Sequence, residues 1–318
     1  MARHIVITGG TGFIGAAIVK ELLAAGDQVT VLVRPQSDTS RLAGLDGLNC
    51  IKLVRYTTLS APETITALAS SSPPDAFIHC AWQGVGGQDR NAAFQVKDNL
   101  VLTLDTVDLA AALGCRQWVG LGSQAEYGNQ NRRLDEQAPT LPTTLYGKAK
   151  LAAGIAALAL CEARGMAGAW LRVFSTYGPG DAPNWFTPYL IQEFLAGRKP
   201  ALTACGQQWD YLYVADAARA VSAVIDSAAQ GVFNLGSGAV RPLRDHVEAI
   251  RQALGSDLVP DYGAVPYRPD QVMHLEAAIG KLTAQTGWQP RTALAAGIAA
   301  TIEFERGRQA ATGITSTP

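Results

Sequence analysis

Tyr146 and Lys150 stand four residues apart in the run Tyr146-Gly147-Lys148-Ala149-Lys150. On a helix that spacing brings both side chains to one face. An ammonium beside a phenol favours the phenolate and lowers the tyrosine's pKa. A phenol tuned in this way can give a proton to a carbonyl oxygen or take one from an alcohol. The pair alone occurs by chance on many helices. Upstream, Val119-Gly120-Leu121-Gly122-Ser123-Gln124-Ala125-Glu126 closes an apolar run with a serine. That places Ser123 at the carboxyl edge of a sheet, where open α/β folds bind ligands. Its hydroxyl can share a carbonyl oxygen with Tyr146.

A second group of residues binds rather than reacts. Thr8-Gly9-Gly10-Thr11-Gly12-Phe13-Ile14-Gly15 follows a short β-branched run and opens a helical one. Gly9 permits the tight turn. Gly12 lets backbone N–H groups reach a pyrophosphate at the helix N-terminus, and Gly15 lets the helix lie close to the sheet. Thr11, Phe13 and Ile14 complete the cofactor-binding turn. A glycine-rich turn can be purely steric, but the strand before it and the helix after it favour a dinucleotide. The second strand ends Val31-Leu32-Val33-Arg34. An NAD site usually places an acid there for the ribose hydroxyls. A guanidinium suits a 2′-phosphate instead, so the expected cofactor is NADPH (NADP+), with Arg41 assisting.

These groups need a scaffold. Strand-like runs at His4–Thr8, Gln28–Val33, Cys50–Val54, Ala76–Ala81, Gln117–Leu121 and Ala169–Phe174 alternate with helical ones. The main helical runs are Thr11–Ala25, Asn91–Leu113 and Leu145–Arg164. Strands separated by helix-length segments imply βαβ units and a parallel sheet. The expected fold is α/β, a doubly wound Rossmann sheet with a smaller C-terminal substrate-binding lobe. Residues 1–174 plus about 216–238 would form the dinucleotide domain, about 175–215 and 239–306 the lobe, and 307–318 a fraying tail.

The chain has 318 residues and a formal net charge of −1, which argues against nucleic-acid and membrane-surface partners. No apolar run approaches the roughly 18 residues of a membrane span. The opening MARHIVITGG runs straight into a strand pattern, without the apolar region and cleavage site of a signal peptide. A cytoplasmic protein is expected. Cys50, Cys80, Cys115, Cys161 and Cys205 are scattered and odd in number, which suggests free thiols and no metal.

Taken in order, TGGTGFIG, His79-Cys80-Ala81-Trp82, GSQAEYG, YGKAK, the run Leu171 to Gly180, Asp210 to Asp216 and Asn234 to Gly238 form a specific series. Over nearly its whole length the chain resembles the extended short-chain dehydrogenase/reductases, the NAD-dependent epimerase/dehydratase family. Within it, the chain looks most like nucleotide-sugar 4-ketoreductases. The resemblance implies catalysis by Ser123, Tyr146 and Lys150, with Lys150 also holding the nicotinamide ribose. It implies that Cys80 and Ala81 lie against the cofactor and Phe174 beside the nicotinamide. It also implies substrate contacts from Trp82, Gln124, Ser175, Trp209 and Arg268, and a homodimer through the two helices Asn91–Leu113 and Leu145–Arg164.

The chain departs from that family in places. Ser175 replaces an Asn, and Trp209 an Arg, that face the nucleotide diphosphate in many members; Arg268 matches the family's other diphosphate arginine. Tyr56-Thr57 stand where members often carry an Asp near the adenine. At the serine segment the acid of the sugar dehydratases is replaced by Ala125, and Glu126 is displaced by one position. A dehydratase is therefore disfavoured. The expected reaction is NADPH-dependent reduction of the C4 keto group of a nucleotide-linked 4-keto-6-deoxyhexose. A 4-epimerase that retains NAD is the alternative, and a non-catalytic NADP-sensing protein the alternative of another class. The intact triad speaks against the last.

Overall fold

The computed structural model describes residues 2–45, 49–60, 62–68 and 72–312. The first half alternates as the apolar runs require: β1 (His4–Thr8), α1 (Phe13–Ala24), β2 (Gln28–Val33), β3 (Ile51–Arg55), α2 (Pro62–Leu68), β4 (Ala76–His79), α3 (Val101–Ala112), β5 (Gln117–Ser123), β6 (Arg132–Leu134), α4 (Leu145–Ala163) and β7 (Ala167–Val173). The second half follows as β8 (Ser175–Tyr177), α5 (Phe186–Leu195), β9 (Ala201–Leu202), β10 (Gln208–Tyr213), α6 (Val214–Asp226), β11 (Gly231–Leu235), β12 (Val240–Pro242), α7 (Leu243–Leu254), β13 (Asp261–Tyr262), β14 (His274–Ala277), α8 (Gly280–Thr286) and α9 (Leu294–Thr312).

Seven strands form one parallel sheet in the order β11-β7-β5-β4-β1-β2-β3. Both faces are covered, so its strands are apolar at successive positions rather than at alternate ones. Ile5, Ile7, Val29, Val31, Val119 and Leu121 share one core with residues of α1 and α6. Val6, Leu32, Phe77, Trp118 and Trp170 share the other with residues of α3 and α4. The chain runs outward from β1 to β3, then returns at β4 on the other side of β1. That reversal opens a crevice at the carboxyl ends of β1 and β4, where ligands bind in doubly wound sheets. The glycine turn and Cys80 lie there.

A second sheet runs β12-β10-β14-β6 with β8 on β10, and β13 pairs with β9. Leu190, Ile191 and Phe194 of α5 pack with Val247 and Ile250 of α7 and Ile298 and Ile302 of α9. α6 and β11 bring the chain back to the first sheet, where β11 pairs with β7 in parallel.

Two elements differ from the sequence reading. The stretch Asn91–Leu113 is not one regular helix: it begins as a π-helix over Gln95–Leu100 and becomes α3 only at Val101. The side chains of Gln95 and Asn99 are spent on the loop before it, as described below. The tail does not fray from Gly307. α9 continues through it to Thr312, and residues 313–318 lie outside the described residues. Glu305 and Arg308, one turn apart, pair across the glycine. Among the described residues no helix is long and apolar enough to cross a membrane. The five cysteines are free thiols.

Candidate active site

The glycine turn is built for close approach. Gly9 has φ +71°, and a Cβ there would lie 2.4 Å from Ala81 N and 2.6 Å from the Cys80 carbonyl carbon. The turn therefore rests directly on the Cys80–Ala81 backbone. A Cβ at Gly15 would meet Gly9 O at 2.1 Å, so α1 is pressed against its own turn. Gly12 is the N-cap of α1 and supplies no side-chain cap. The first-turn N–H groups are thus left for an anion, which is the requirement of a bound pyrophosphate. Phe13 lines a cleft of about 840 Å³ beside α1, and Ile14 packs on the core. Arg41 spans the crevice, donating from Nε to Gly180 O at 2.9 Å and from Nη1 to Thr11 O at 3.4 Å.

Arg34 is exposed at the end of β2. Val33 is in register with Arg55 of β3, which donates to Pro35 O at 3.0 Å. Two guanidiniums therefore flank the β2 carboxyl edge. The sequence reading passed over Arg55, because only strand register reveals it. Tyr56 follows; burial raises its phenol pKa and Arg34 draws it down.

Local capping fixes the reacting groups. β5 ends on Ser123, whose Oγ accepts the Ala125 N–H at 3.1 Å, while Glu126 Oε1 accepts the Ser123 N–H at 2.8 Å. This reciprocal capping box locks the serine's backbone. Thr144 caps α4 by accepting the Gly147 N–H at 3.1 Å. The two preceding N–H groups of α4 are taken by the opposite loop: Leu145 donates to Asn91 Oδ1 at 3.0 Å and Tyr146 to Arg90 O at 2.7 Å. Tyr146 and Lys150 share a buried face of α4.

Lys150 Nζ donates to Leu121 O at 2.6 Å and lies 3.7 Å from the centre of the Trp82 ring. Burial drives its pKa down to about 7, against the pull of Glu126 and Cys80. Burial raises the Tyr146 pKa. The hydrogen-bonding Ser123 hydroxyl and the Arg90 guanidinium pull it down, and Glu126 adds to the rise. Burial also pushes the Cys80 thiol up to about 12.

Glu126 is fully buried. Besides the Ser123 N–H it accepts from Trp170 Nε1 at 2.9 Å and pairs with Arg172 Nε at 2.7 Å. Arg172 lies 4.5 Å above the Tyr127 ring, whose hydroxyl donates to Asn234 at 2.6 Å. The loop opposite is held from the π-helix. Gln95 accepts the Trp82 indole N–H at 2.8 Å and donates to Gly84 O and Asp89 O. Asn99 brackets Gln83 through both its N–H and its C=O. Trp82 meets Tyr146 edge-on at 6.0 Å.

On the substrate side, the two departures from the family pattern are bonded to each other: Trp209 Nε1 donates to Ser175 Oγ at 2.7 Å. Phe174 is 6% exposed and packs with Tyr127, Leu134 and Leu275, with little ring surface left for a cofactor. Gln124 is half-buried beside Ser123. Arg268 is not brought to this cluster by any contact among the described residues. It is exposed on the loop between β13 and β14, which is anchored instead by Tyr267, whose hydroxyl accepts the Gly206 N–H at 2.8 Å.

Comparison with known proteins follows the same outline. The family described as "NAD dependent epimerase/dehydratase family" matches residues 5–236. A dTDP-glucose 4,6-dehydratase of Streptomyces niveus is 27% identical over 323 residues, covering 96% of this chain and 94% of that protein. UDP-glucose 4-epimerase 2 of Oryza sativa subsp. japonica is 26% identical over 325 residues, covering 91% and 78%. In fold, the chain is similar to UDP-N-acetylglucosamine 4-epimerase from Methanobrevibacter ruminantium M1, solved in complex with UDP-N-acetylmuramic acid. That match has a TM-score of 0.87 at 22% identity and covers 96% of this chain and 99% of the other.

Proposed function

The chain belongs to the NAD-dependent epimerase/dehydratase family and is an enzyme of the extended short-chain dehydrogenase/reductase type, and we propose that it reduces the C4 keto group of a nucleotide-linked 4-keto-6-deoxyhexose with NADPH. A bound nicotinamide cofactor supplies the hydride. The protein's part is to place and protonate. Ser123 polarises the carbonyl oxygen, Tyr146 gives its proton to the forming alkoxide, and Lys150 holds the cofactor ribose. Gly9, Thr11, Gly12 and Gly15, with the N–H groups of Phe13 and Ile14, receive the pyrophosphate; Cys80 and Ala81 wall the crevice. Position 4 is common to the names of the curated relatives, both 4-epimerases and 4,6-dehydratases.

The observation that carries the reading is the pairing of a protonated, buried Tyr146 with a Glu126 that is fully engaged in structure. Burial keeps the phenol in its protonated form, the form that can give a proton to a forming alkoxide. A carboxylate tied to Arg172, Trp170 and the Ser123 N–H has no freedom to protonate a leaving hydroxyl, and Ala125 has no acid at all. This disfavours dehydration. The 4-epimerase reading is favoured by the relatives' names and needs a retained NAD.

Arg34 and Arg55 at the β2 edge support NADPH. With candidate 4-keto sugars, NADPH should be oxidised stoichiometrically, read as loss of nicotinamide absorbance. Isomerisation without net oxidation supports the epimerase instead. Arg34→Ala should raise the KM for NADPH by about tenfold, the worth of one charge-assisted contact, and leave that for NADH nearly unchanged. A wild-type preference for NADH would remove the basis of the NADPH reading.

We assign the second sheet with α5 and α7 to substrate binding, and Trp82, Gln124, Ser175, Trp209 and Arg268 to its contacts. The bonded Ser175–Trp209 pair offers an indole face rather than a cation at the diphosphate position, and Arg241, in register with Trp209, lines the same cavity.

The protein should be a homodimer. Val96 at 39%, Val101 at 50% and Ile155 at 64% exposure leave an apolar stripe on the outward faces of the π-helix, α3 and α4, with Ala152 and Ala159 beside it. Small residues allow two copies of these helices to approach closely. Light scattering at micromolar concentration should give twice the chain mass; a monomer mass would refute the pairing.

A further inference from the structure

We propose that Arg241 is the cation that receives the substrate's diphosphate, in a cavity walled by the Trp209 and Tyr211 rings. The inference rests on the reading of the substrate as nucleotide-linked. It does not depend on which reaction follows at C4.

Strand pairing puts the guanidinium there. β12 runs antiparallel to β10, with Arg241 opposite Trp209. Directly opposed residues send their side chains to the same face of a sheet, with Cβ atoms about 4.5–5.5 Å apart. Trp209, Tyr211 and Arg241 line one cavity of about 240 Å³. Asp210, between the two rings on β10, turns to the opposite face. There it accepts the Ser237 N–H at 2.7 Å and the Gly238 N–H at 3.0 Å. Those bonds hold the turn that leads into β12. Just beyond β12, Leu243 donates to Gln207 O at 2.7 Å and Arg244 to Cys205 O at 2.9 Å. The backbone around Arg241 is therefore fixed on both sides.

The charge is unspent. Arg241 is exposed and makes no ion pair or side-chain hydrogen bond among the described residues. The carboxylate in the cavity wall is Asp216, and it is committed elsewhere. It pairs with Arg219 and accepts the Arg291 and Thr292 N–H groups at 2.8 and 3.0 Å. His246 closes the cavity behind Tyr211, stacked on it at 4.4 Å, and burial holds its imidazole neutral. Arg241 is thus the free charge of the site. A guanidinium offers a diphosphate parallel N–H donors in a fixed fork. The Trp209 indole N–H is taken by Ser175 Oγ, so its ring contributes a face rather than a donor. A cavity of this size takes part of a nucleotide sugar, not the whole of it.

The test titrates UDP, dTDP, GDP and CDP, and the matching nucleosides, into the protein saturated with its nicotinamide cofactor, by calorimetry. The filled cofactor site keeps the probes out of the glycine-turn crevice. Wild-type protein should bind one of the diphosphates more tightly than its nucleoside. Arg241→Gln should raise the Kd of that diphosphate by about tenfold or more, the worth of one charge-assisted contact, and leave that of the nucleoside within about twofold. Arg241→Lys should recover part of the loss, since it keeps the charge without the fork. Arg268→Gln should cost less than Arg241→Gln. Because Arg241 is exposed and unpaired, its variants should unfold at the wild-type urea midpoint. An unchanged diphosphate Kd in Arg241→Gln overturns the proposal. So does an equal loss for diphosphate and nucleoside, which marks a distorted cavity, and so does a wild-type protein that binds none of the diphosphates. Diphosphate binding that depends on Arg241, without oxidation of NADPH by keto sugars, would count against the reduction and not against Arg241.

Discussion

Tyr146→Phe is expected to lower kcat by about 10²–10⁴-fold, the usual worth of a positioned general acid, while cofactor affinity stays within about twofold. The substitution removes one oxygen and little else. The ring still fills the buried face of α4, the Arg90 carbonyl still takes the N–H of residue 146, and Arg90 still finds an aromatic face. Trp82 keeps its edge contact. What is lost is the phenolic hydroxyl that gives its proton to the substrate oxygen while Ser123 donates a hydrogen bond to that oxygen. Ser123 does not substitute for it, because an alcohol is a far weaker acid than a phenol. Steady-state turnover combined with a direct cofactor titration separates the two quantities. A mutant that keeps more than about a tenth of the wild-type rate would show that the proton comes from elsewhere. Equal losses in binding and turnover would show a structural role instead.

The parts of this site that were legible in the sequence are those fixed by local chemistry. β1 and β2 fall on the residues their β-branched runs select, and the glycines stand where φ and close approach exclude a side chain. The Tyr146–Lys150 spacing is a helical property, and Thr144 caps that helix as its residue type suggests. What escaped is long-range. Nothing near Arg90 in sequence says that it sits over Tyr146, fifty-six positions later. The lysine's attachment to Leu121 O and Trp82 depends on β5 and on the loop that follows β4. In the π-helix Gln95 and Asn99 bond to the preceding loop, a pairing that no helical periodicity encodes. Ser175 and Trp209 read as two losses, yet parallel pairing of β8 with β10 makes them hydrogen-bond partners. Glu126 was noted only as a displaced acid. Its partners Trp170 and Arg172 come from β7, the next strand of the sheet, in register with Gly120 and Gly122 of β5.

That buried carboxylate yields the second large effect. Glu126→Ala should destabilise the protein by about 3–5 kcal/mol, because it leaves the Arg172 guanidinium buried without its counter-charge. The side chains of Arg172 and Glu126 are 7% and 1% exposed, so water cannot replace the lost partner. The Trp170 indole N–H and the Ser123 N–H lose their acceptor at the same time. Arg172→Met should be similarly costly, since it strands the carboxylate instead. The double variant Glu126→Met with Arg172→Met removes both charges together. An apolar pair of similar volume is often tolerated where a broken pair is not. Its stability should therefore exceed that of either single variant, measured by urea unfolding at constant m. Turnover should behave differently from stability. The double variant still lacks the acceptor that locks the Ser123 backbone at 2.8 Å, so its kcat should remain depressed even where folding recovers. If kcat recovers together with stability, Glu126 serves the fold alone, and the capping box that it closes on Ser123 does not position the catalytic hydroxyl.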